Sequence, residues 1–210
     1  MKPSLDGVRL VVLLTDGISA LPFPDLVTEI VAGGADMLQL REKSLPDSVF
    51  LERARLVRSL AGDALFIVND RADIARLAGA DGVHVGPDDI PVPRAREMLP
   101  PGAIVGASAY TMEVFAAAAA SGADYIGVGA SFPTGTKDAP VTGLSFITSV
   151  ARDSHVPVIA IGGITAEHIP EVMAAGAAGV AVLSAVAGAP DMEGTARKLA
   201  DLVRGGRRRP

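Results

Sequence analysis

The sequence predicts a small α/β protein, a single (β/α)8 barrel. Three observations predict it. Short runs rich in Val, Ile and Leu on consecutive positions alternate with longer amphipathic stretches, as strands buried on both faces alternate with the helices that cover them. Eight such strand–helix pairs fit within 210 residues, at the small end of the range for this architecture. Finally, a Gly-Ala-Asp triplet recurs at Gly34–Asp36, Gly79–Asp81 and Gly122–Asp124, with a degenerate Gly176-Ala177-Ala178 after them. Each copy follows a helical stretch and precedes a strand, where Gly can end a helix in the left-handed conformation without a Cβ penalty.

The elements follow in order. Leu10–Thr15 is an unbroken apolar strand, and Asp25–Ala32 is the helix that returns from it. Met37–Arg41 follows the first Gly-Ala-Asp, and Asp47–Ala61 is a long amphipathic helix. Leu65–Asn69 precedes the short helix Arg71–Ala78, and Gly82–Val85 precedes Val92–Leu99. Ile104–Ser108 leads to Thr111–Ser121, whose Ala116–Ala120 run is helix filler. Tyr125–Val128 leads to Ser145–Asp153, Val158–Ile161 to Ala166–Ala175, and Gly179–Leu183 to Met192–Arg204. A doubly wound open sheet is the alternative. It usually has fewer strands, and no Gly-rich dinucleotide loop follows the first strand here. Residues 1–204 are thus expected to form the one catalytic domain and 205–210 a basic, disordered tail.

Composition narrows the function. The net charge is −5 and falls to −8 without the tail arginines Arg207, Arg208 and Arg209, which argues against a nucleic-acid partner. With no Cys there is no disulfide, thiolate zinc site or Cys nucleophile. Mean hydropathy is +0.37, but the longest uncharged stretch, Val172–Pro190, is interrupted by Gly176, Gly179 and Gly188 and reads as a helix end, a turn and a buried strand. The N-terminal MKPSLDGVRL carries an Asp where a signal peptide needs its apolar region. A cytoplasmic protein without a membrane partner is expected.

In a parallel barrel, chemistry lies where strands end and lead into helices. Those segments are Gln39-Leu40-Arg41-Glu42-Lys43, Asn69-Asp70-Arg71, His84 through Asp89, Ser108, Ser131 through Lys137, Gly162-Gly163 and Ser184. Lys43 and Lys137 are two of only four Lys, and with Arg41 and Asn69 they suit a polyanionic ligand. Gln39 and Arg41 alternate onto one strand face. An isolated Arg-Glu-Lys cluster would more often be a solvated loop, but convergence from several strand ends favours a site. Asp70 and Asp89 follow adjacent strands and, without His or Cys partners, suit a hard cation such as Mg²⁺; the bland reading of either Asp is a helix cap. Gly163 and Ser184 stand after the seventh and eighth strands, where barrels often bind phosphate. The site thus reads as two anion subsites, one metal-assisted and one metal-free. The Gly127-Val128-Gly129, Thr134–Lys137 and Gly106-Ala107-Ser108 segments do not complete dinucleotide, Walker or nucleophile-elbow motifs. His84 is expected to be a packed, hydrogen-bonded core residue, and His155 and His168 to lie at the surface.

Taken together, these segments resemble the thiamine-phosphate synthase family, from Leu14-Thr15-Asp16 to Leu183-Ser184-Ala185. The resemblance implies that Gln39, Leu40, Arg41, Glu42, Lys43, Asn69, Ser108 and Lys137 contact a pyrimidine diphosphate, with Arg41, Lys43 and Lys137 catalytic. It implies Asp70 and Asp89 as Mg²⁺ ligands, and Thr134, Gly135, Thr136, Gly163, Leu183 and Ser184 as contacts of a thiazole phosphate, carboxylated or not. The family commonly has Gln where Pro87 stands and often His where Tyr110 stands. The expected reaction is a dissociative transfer of the pyrimidine methylene to the thiazole nitrogen, giving thiamine phosphate and pyrophosphate, with the segment from Ser131 to Gly143 as a lid. Two rivals are a thiazole tautomerase, which relies on a His near position 110, and a non-catalytic barrel that binds a phosphorylated metabolite.

Overall fold

Eight short parallel strands close on themselves in sequence order in a computed structural model that describes residues 3–135 and 140–205. They are β1 (Leu10–Leu14), β2 (Met37–Leu40), β3 (Leu65–Asn69), β4 (Gly82–Val85), β5 (Ile104–Ala109), β6 (Tyr125–Val128), β7 (Val158–Ile161) and β8 (Gly179–Val182), and β8 pairs back onto β1. The helices are α1 (Phe23–Ala32), α2 (Asp47–Leu60), α3 (Ala72–Ala78), α4 (Val92–Met98), α5 (Met112–Ala120), α6 (Gly143–Asp153), α7 (Ile169–Ala174), α8 (Ser184–Ala187) and α9 (Met192–Val203). The expected barrel is therefore the observed one, with its ends moved by up to three residues. The four-residue α8 was not foreseen, because one turn has no periodicity to read. Among the described residues no helix is long and apolar enough to cross a membrane, and Val172–Pro190 divides into α7, a turn, β8 and α8 as far as they run. Except for Gly205, the basic tail lies outside the described residues.

Strand alternation builds two cores. Outward residues such as Leu10, Val12, Leu38, Leu40, Phe66, Val68, Val83 and Ile126 are fully buried beneath the helices. Inward residues Val11, Leu13, Met37, Ile67, Ile104, Tyr125, Ile159 and Ala181 fill the barrel interior. Toward the C-terminal ends of the strands, the inward positions turn polar on β2 to β5. Gln39, Asn69 and His84 are three of only five buried polar residues in the described chain.

The Gly-Ala-Asp repeat secures the opposite end. Asp36 Oδ2 accepts from the backbone N–H groups of Arg9 and Leu10, both at 2.9 Å, while Arg204 donates to Oδ1. Asp81 accepts from Phe66 N–H at 2.8 Å and from Arg58, and Asp124 from Val105 N–H at 2.7 Å and from Arg96. Each carboxylate thus satisfies the start of one odd-numbered strand and carries an Arg from the helix layer. The degenerate copy ends in Ala178, which has no carboxylate, and there the backbone carbonyl accepts from Arg9 instead. The repeat is a stability device at the end of the barrel remote from the mouth.

Candidate active site

The mouth takes shape from β2 to β5. Gln39 is the last inward residue of β2, and Arg41 follows the strand end, its N–H donating to Leu14 O at 2.8 Å. Leu40 faces the helix layer and is fully buried, so its side chain is turned away from the mouth. Glu42 is held inside the protein: its Oε1 accepts from Arg53 at 2.8 Å and from Asp16 N–H at 3.1 Å. Arg53 also pairs with Asp16 and lies over the Phe23 ring at 4.6 Å, tying the loop after β1 to the loop after β2. Arg41 and Lys43 line the groove between these loops. Arg71 is not a mouth cation, since it is engaged by Asp47 and Asp73.

Asp70 stands one residue past β3, its N–H donating to His84 O at 2.7 Å. With φ of 64° it is the one non-Gly residue at positive φ among the described residues, a conformation that Asp tolerates better than most side chains. Its carboxyl group is within hydrogen-bonding reach of Asp89 and feels the positive charge of Arg41 and Lys43. Burial, and then the adjacent Asp89, push its pKa up to about 6. Asp89 is fixed by a tight turn in which its N–H donates to Gly86 O at 3.2 Å and its Oδ2 accepts from Gly86 N–H at 2.7 Å. Pro87 occupies the second position of that turn, where a fixed φ suits and no N–H is required. Asp88 is exposed on the same turn.

Across the mouth, Gly162 and Gly163 are consecutive residues at positive φ, 96° and 65°. A Cβ on Gly163 would lie 2.5 Å from Pro133 O, so only Gly lets this turn meet the segment after β6. That segment is pinned by Ser131 N–H to Ile161 O at 2.8 Å and Phe132 N–H to Gly162 O at 3.0 Å. Thr134 and Gly135 follow, whereas Thr136 and Lys137 lie outside the described residues. Leu183 ends the turn after β8 and Ser184 opens α8. His168, expected at the surface, instead stacks on Phe132 with centroids 3.8 Å apart and has Nδ1 3.1 Å from Gly163 O. The structure thus brings Gln39, Arg41, Lys43, Asn69, Asp70, Asp89 and Ser108 to one side of the mouth and Gly163, Leu183 and Ser184 to the other.

The interior adds a polar contact that was not foreseen. His84 is buried and hydrogen-bonded, as expected, but its partners are Ser108, at 2.8 Å from Nε2, and the Tyr125 hydroxyl, at 3.0 Å from Nδ1. Tyr125 reads in the sequence as one more apolar strand residue. The available signal is its inward parity, two residues before Gly127 on a strand beside the mouth.

Comparison with known proteins bears on the fold and the family. A family model described as "Thiamine monophosphate synthase" matches residues 10–186. The chain is 48% identical over 183 residues to the thiamine-phosphate synthase of Methanoculleus marisnigri, covering 85% of this chain and 87% of that one. It is 46% identical over 199 residues to that of Methanocella arvoryzae, covering 92% and 94%. Its fold is similar to the solved thiamine phosphate pyrophosphorylase from Pyrococcus furiosus, with TM-score 0.88, 38% identity and coverage of 94% and 96%.

Proposed function

The chain belongs to the thiamine monophosphate synthase family, and from that premise we propose how its barrel mouth divides the work. It is a transferase that joins a hydroxymethylpyrimidine diphosphate to a thiazole phosphate and releases thiamine phosphate and pyrophosphate. The pyrimidine diphosphate lies over β2 to β5, against Gln39, Arg41, Lys43, Asn69 and Ser108, with the Leu40 and Glu42 backbone beside it. Lys137, which follows β6 in the chain and lies outside the described residues, is assigned to the same diphosphate. The thiazole phosphate lies over β6 to β8, against Thr134, Gly135, Thr136, Gly163, Leu183 and Ser184.

The observation that carries this reading is the carboxylate pair. Half-buried Asp70 and exposed Asp89 stand within hydrogen-bonding reach of each other, and the burial of Asp70 together with the adjacent Asp89 carboxylate opposes ionisation of Asp70. Such a pair suits a hard divalent cation, and the small protein donor set leaves positions for water and phosphate oxygens. Asp70 and Asp89 would hold Mg²⁺, which supplies neutralisation of the diphosphate charge when bound.

The chain's own residues do the rest. Arg41, Lys43 and Lys137 bind the diphosphate and hold its leaving oxygens more strongly as the pyrimidine methylene–oxygen bond breaks and charge gathers there. The electron-rich aminopyrimidine stabilises the resulting cation, and the thiazole nitrogen, held by the opposite half of the mouth, captures it. No general base is required. The test is pyrophosphate release by the purified protein with both substrates, with each alone, and with or without Mg²⁺. Release that requires both substrates and the metal supports the reading. Turnover of the thiazole phosphate alone, indifferent to Mg²⁺, would overturn it in favour of a tautomerase.

A further inference from the structure

Four polar side chains inside the barrel form one hydrogen-bonded line, and glycines make it possible. His84 on β4 and Tyr125 on β6 are not on neighbouring strands; β5 lies between them, and Gly106 is in register with both. A Cβ on Gly106 would lie 2.2 Å from Cζ of Tyr125, so its absence lets the phenol cross β5 and reach the imidazole. The Tyr125 hydroxyl is 3.0 Å from His84 Nδ1, and His84 Nε2 is 2.8 Å from Ser108 Oγ. A Cβ on Gly127, which faces Ser108 in register, would come within 3.2 Å of His84 Cε1, so this position also leaves room for the ring. At the other end the Gln39 side chain is within hydrogen-bonding reach of the Tyr125 hydroxyl. Tyr125, Gln39 and His84 are 2%, 5% and 7% exposed.

Such a line has a direction, because a neutral imidazole donates from one nitrogen and accepts at the other. If His84 donates from Nδ1 to Tyr125, its Nε2 takes the Ser108 proton and Ser108 offers the mouth only lone pairs. If Tyr125 donates to Nδ1, Nε2–H donates to Ser108 Oγ and the Ser108 proton is left for a ligand. A diphosphate only accepts, so it is compatible with the second direction alone. Gln39 then donates its amide N–H to the Tyr125 oxygen. We propose that Gln39, Tyr125 and His84 are a one-way donor line that aims the Ser108 proton at the diphosphate, which makes Tyr125 and His84 positioning residues of the reaction. This rests on the assignment of Ser108 to the diphosphate. Burial holds the Tyr125 phenol well above its ordinary titration range, so it remains a donor under working conditions.

The test is a kinetic double-mutant cycle with pyrophosphate release as readout, on wild type, Ser108→Ala, Tyr125→Phe and the double variant. Each single variant is expected to lower kcat/KM for the pyrimidine diphosphate by about 10- to 100-fold, the worth of one charge-assisted hydrogen bond. The KM for thiazole phosphate should not move. The double variant should be no worse than Ser108→Ala, since both changes remove the same contact. In wild type, ¹⁵N NMR of the His84 ring, one of three His in the chain, should place the proton on Nε2. A proton on Nδ1, additive losses in the double variant, or near-wild-type Tyr125→Phe beside a damaged Ser108→Ala would overturn the donor line. Wild-type rates in Ser108→Ala would instead overturn the assignment of Ser108 itself. Should Tyr125→Phe fail to fold, the wild-type NMR measurement decides alone.

Discussion

Asp70→Asn separates the structural cost of the carboxylate pair from its use. Asn keeps the shape of Asp and tolerates the positive φ of 64° that an Ala at this position would find strained. In the metal-free protein Asp70 has its pKa raised from 3.8 to about 6, through burial and the Asp89 charge. At about 1.4 kcal/mol per pKa unit the full shift corresponds to about 3 kcal/mol. Because the group is only half-buried, solvent screening reduces this to about 1 kcal/mol. The sign follows from the folded pKa lying above the unfolded one. The folded state binds this proton more tightly, so stability declines as pH rises from about 4 to about 6 and the whole penalty is present at pH 7.5. Asp70→Asn removes that penalty and leaves an amide facing Asp89. Thermal melts in EDTA at pH 7.5 should therefore place the variant about 2–4 °C above wild type, and the gap should shrink toward pH 4.5. Adding Mg²⁺ should raise the wild-type melting temperature and leave the variant unmoved, while turnover falls by about 10²–10³. A variant less stable than wild type in EDTA at pH 7.5, or a gap that does not change with pH, would refute the account of the pair. Near-normal Mg²⁺-dependent turnover would remove Asp70 from the metal site.

Three further outcomes are expected. Asp36→Ala strips the acceptor for the N–H groups of Arg9 and Leu10 and leaves Arg204 without its carboxylate, with only the Gly34 carbonyl among the described residues to accept from it; it should cost about 3 kcal/mol in urea unfolding while the turnover per folded molecule stays unchanged, and a loss of turnover would contradict its placement at the remote end. Gly163→Ala brings a Cβ within 2.5 Å of Pro133 O at a positive φ, so it should raise the KM for thiazole phosphate more than that for the pyrimidine diphosphate, measured by steady-state kinetics. Gly106→Ala drives a Cβ into the Tyr125 ring and should lower stability by about 1–3 kcal/mol together with kcat/KM for the pyrimidine diphosphate; a stable, fully active variant would show that Tyr125 need not cross β5.

Strand number, order and most element boundaries were legible in the chain, because each buried strand needs a continuous apolar run and most helices are followed within two residues by a Gly at positive φ. The residues at the strand ends were legible for a related reason: in a barrel with apolar walls, a cluster of Arg, Lys, Asn and Asp is chemically out of place. His168 was misread because nothing local indicates that the Gly162-Gly163 turn folds it onto Phe132. Tyr125 was overlooked because an aromatic residue within an apolar run looks like core. The Asp of each Gly-Ala-Asp appeared to be part of a turn signal, whereas its carboxylate spans two strands to serve as an acceptor.

What the sequence determined by itself is therefore the periodic part: eight strand–helix units, the faces they bury, and the set of charged residues placed at one end. Those follow from interactions within a few residues along the chain. Only the tertiary structure decided which strand-end groups meet, that Asp70 and Asp89 repel one another across adjacent loops, that Glu42 and Arg71 are engaged by the protein itself, and that two glycines let Tyr125 and His84 join across an intervening strand. Those are properties of barrel closure and register, which bring together residues far apart in the chain.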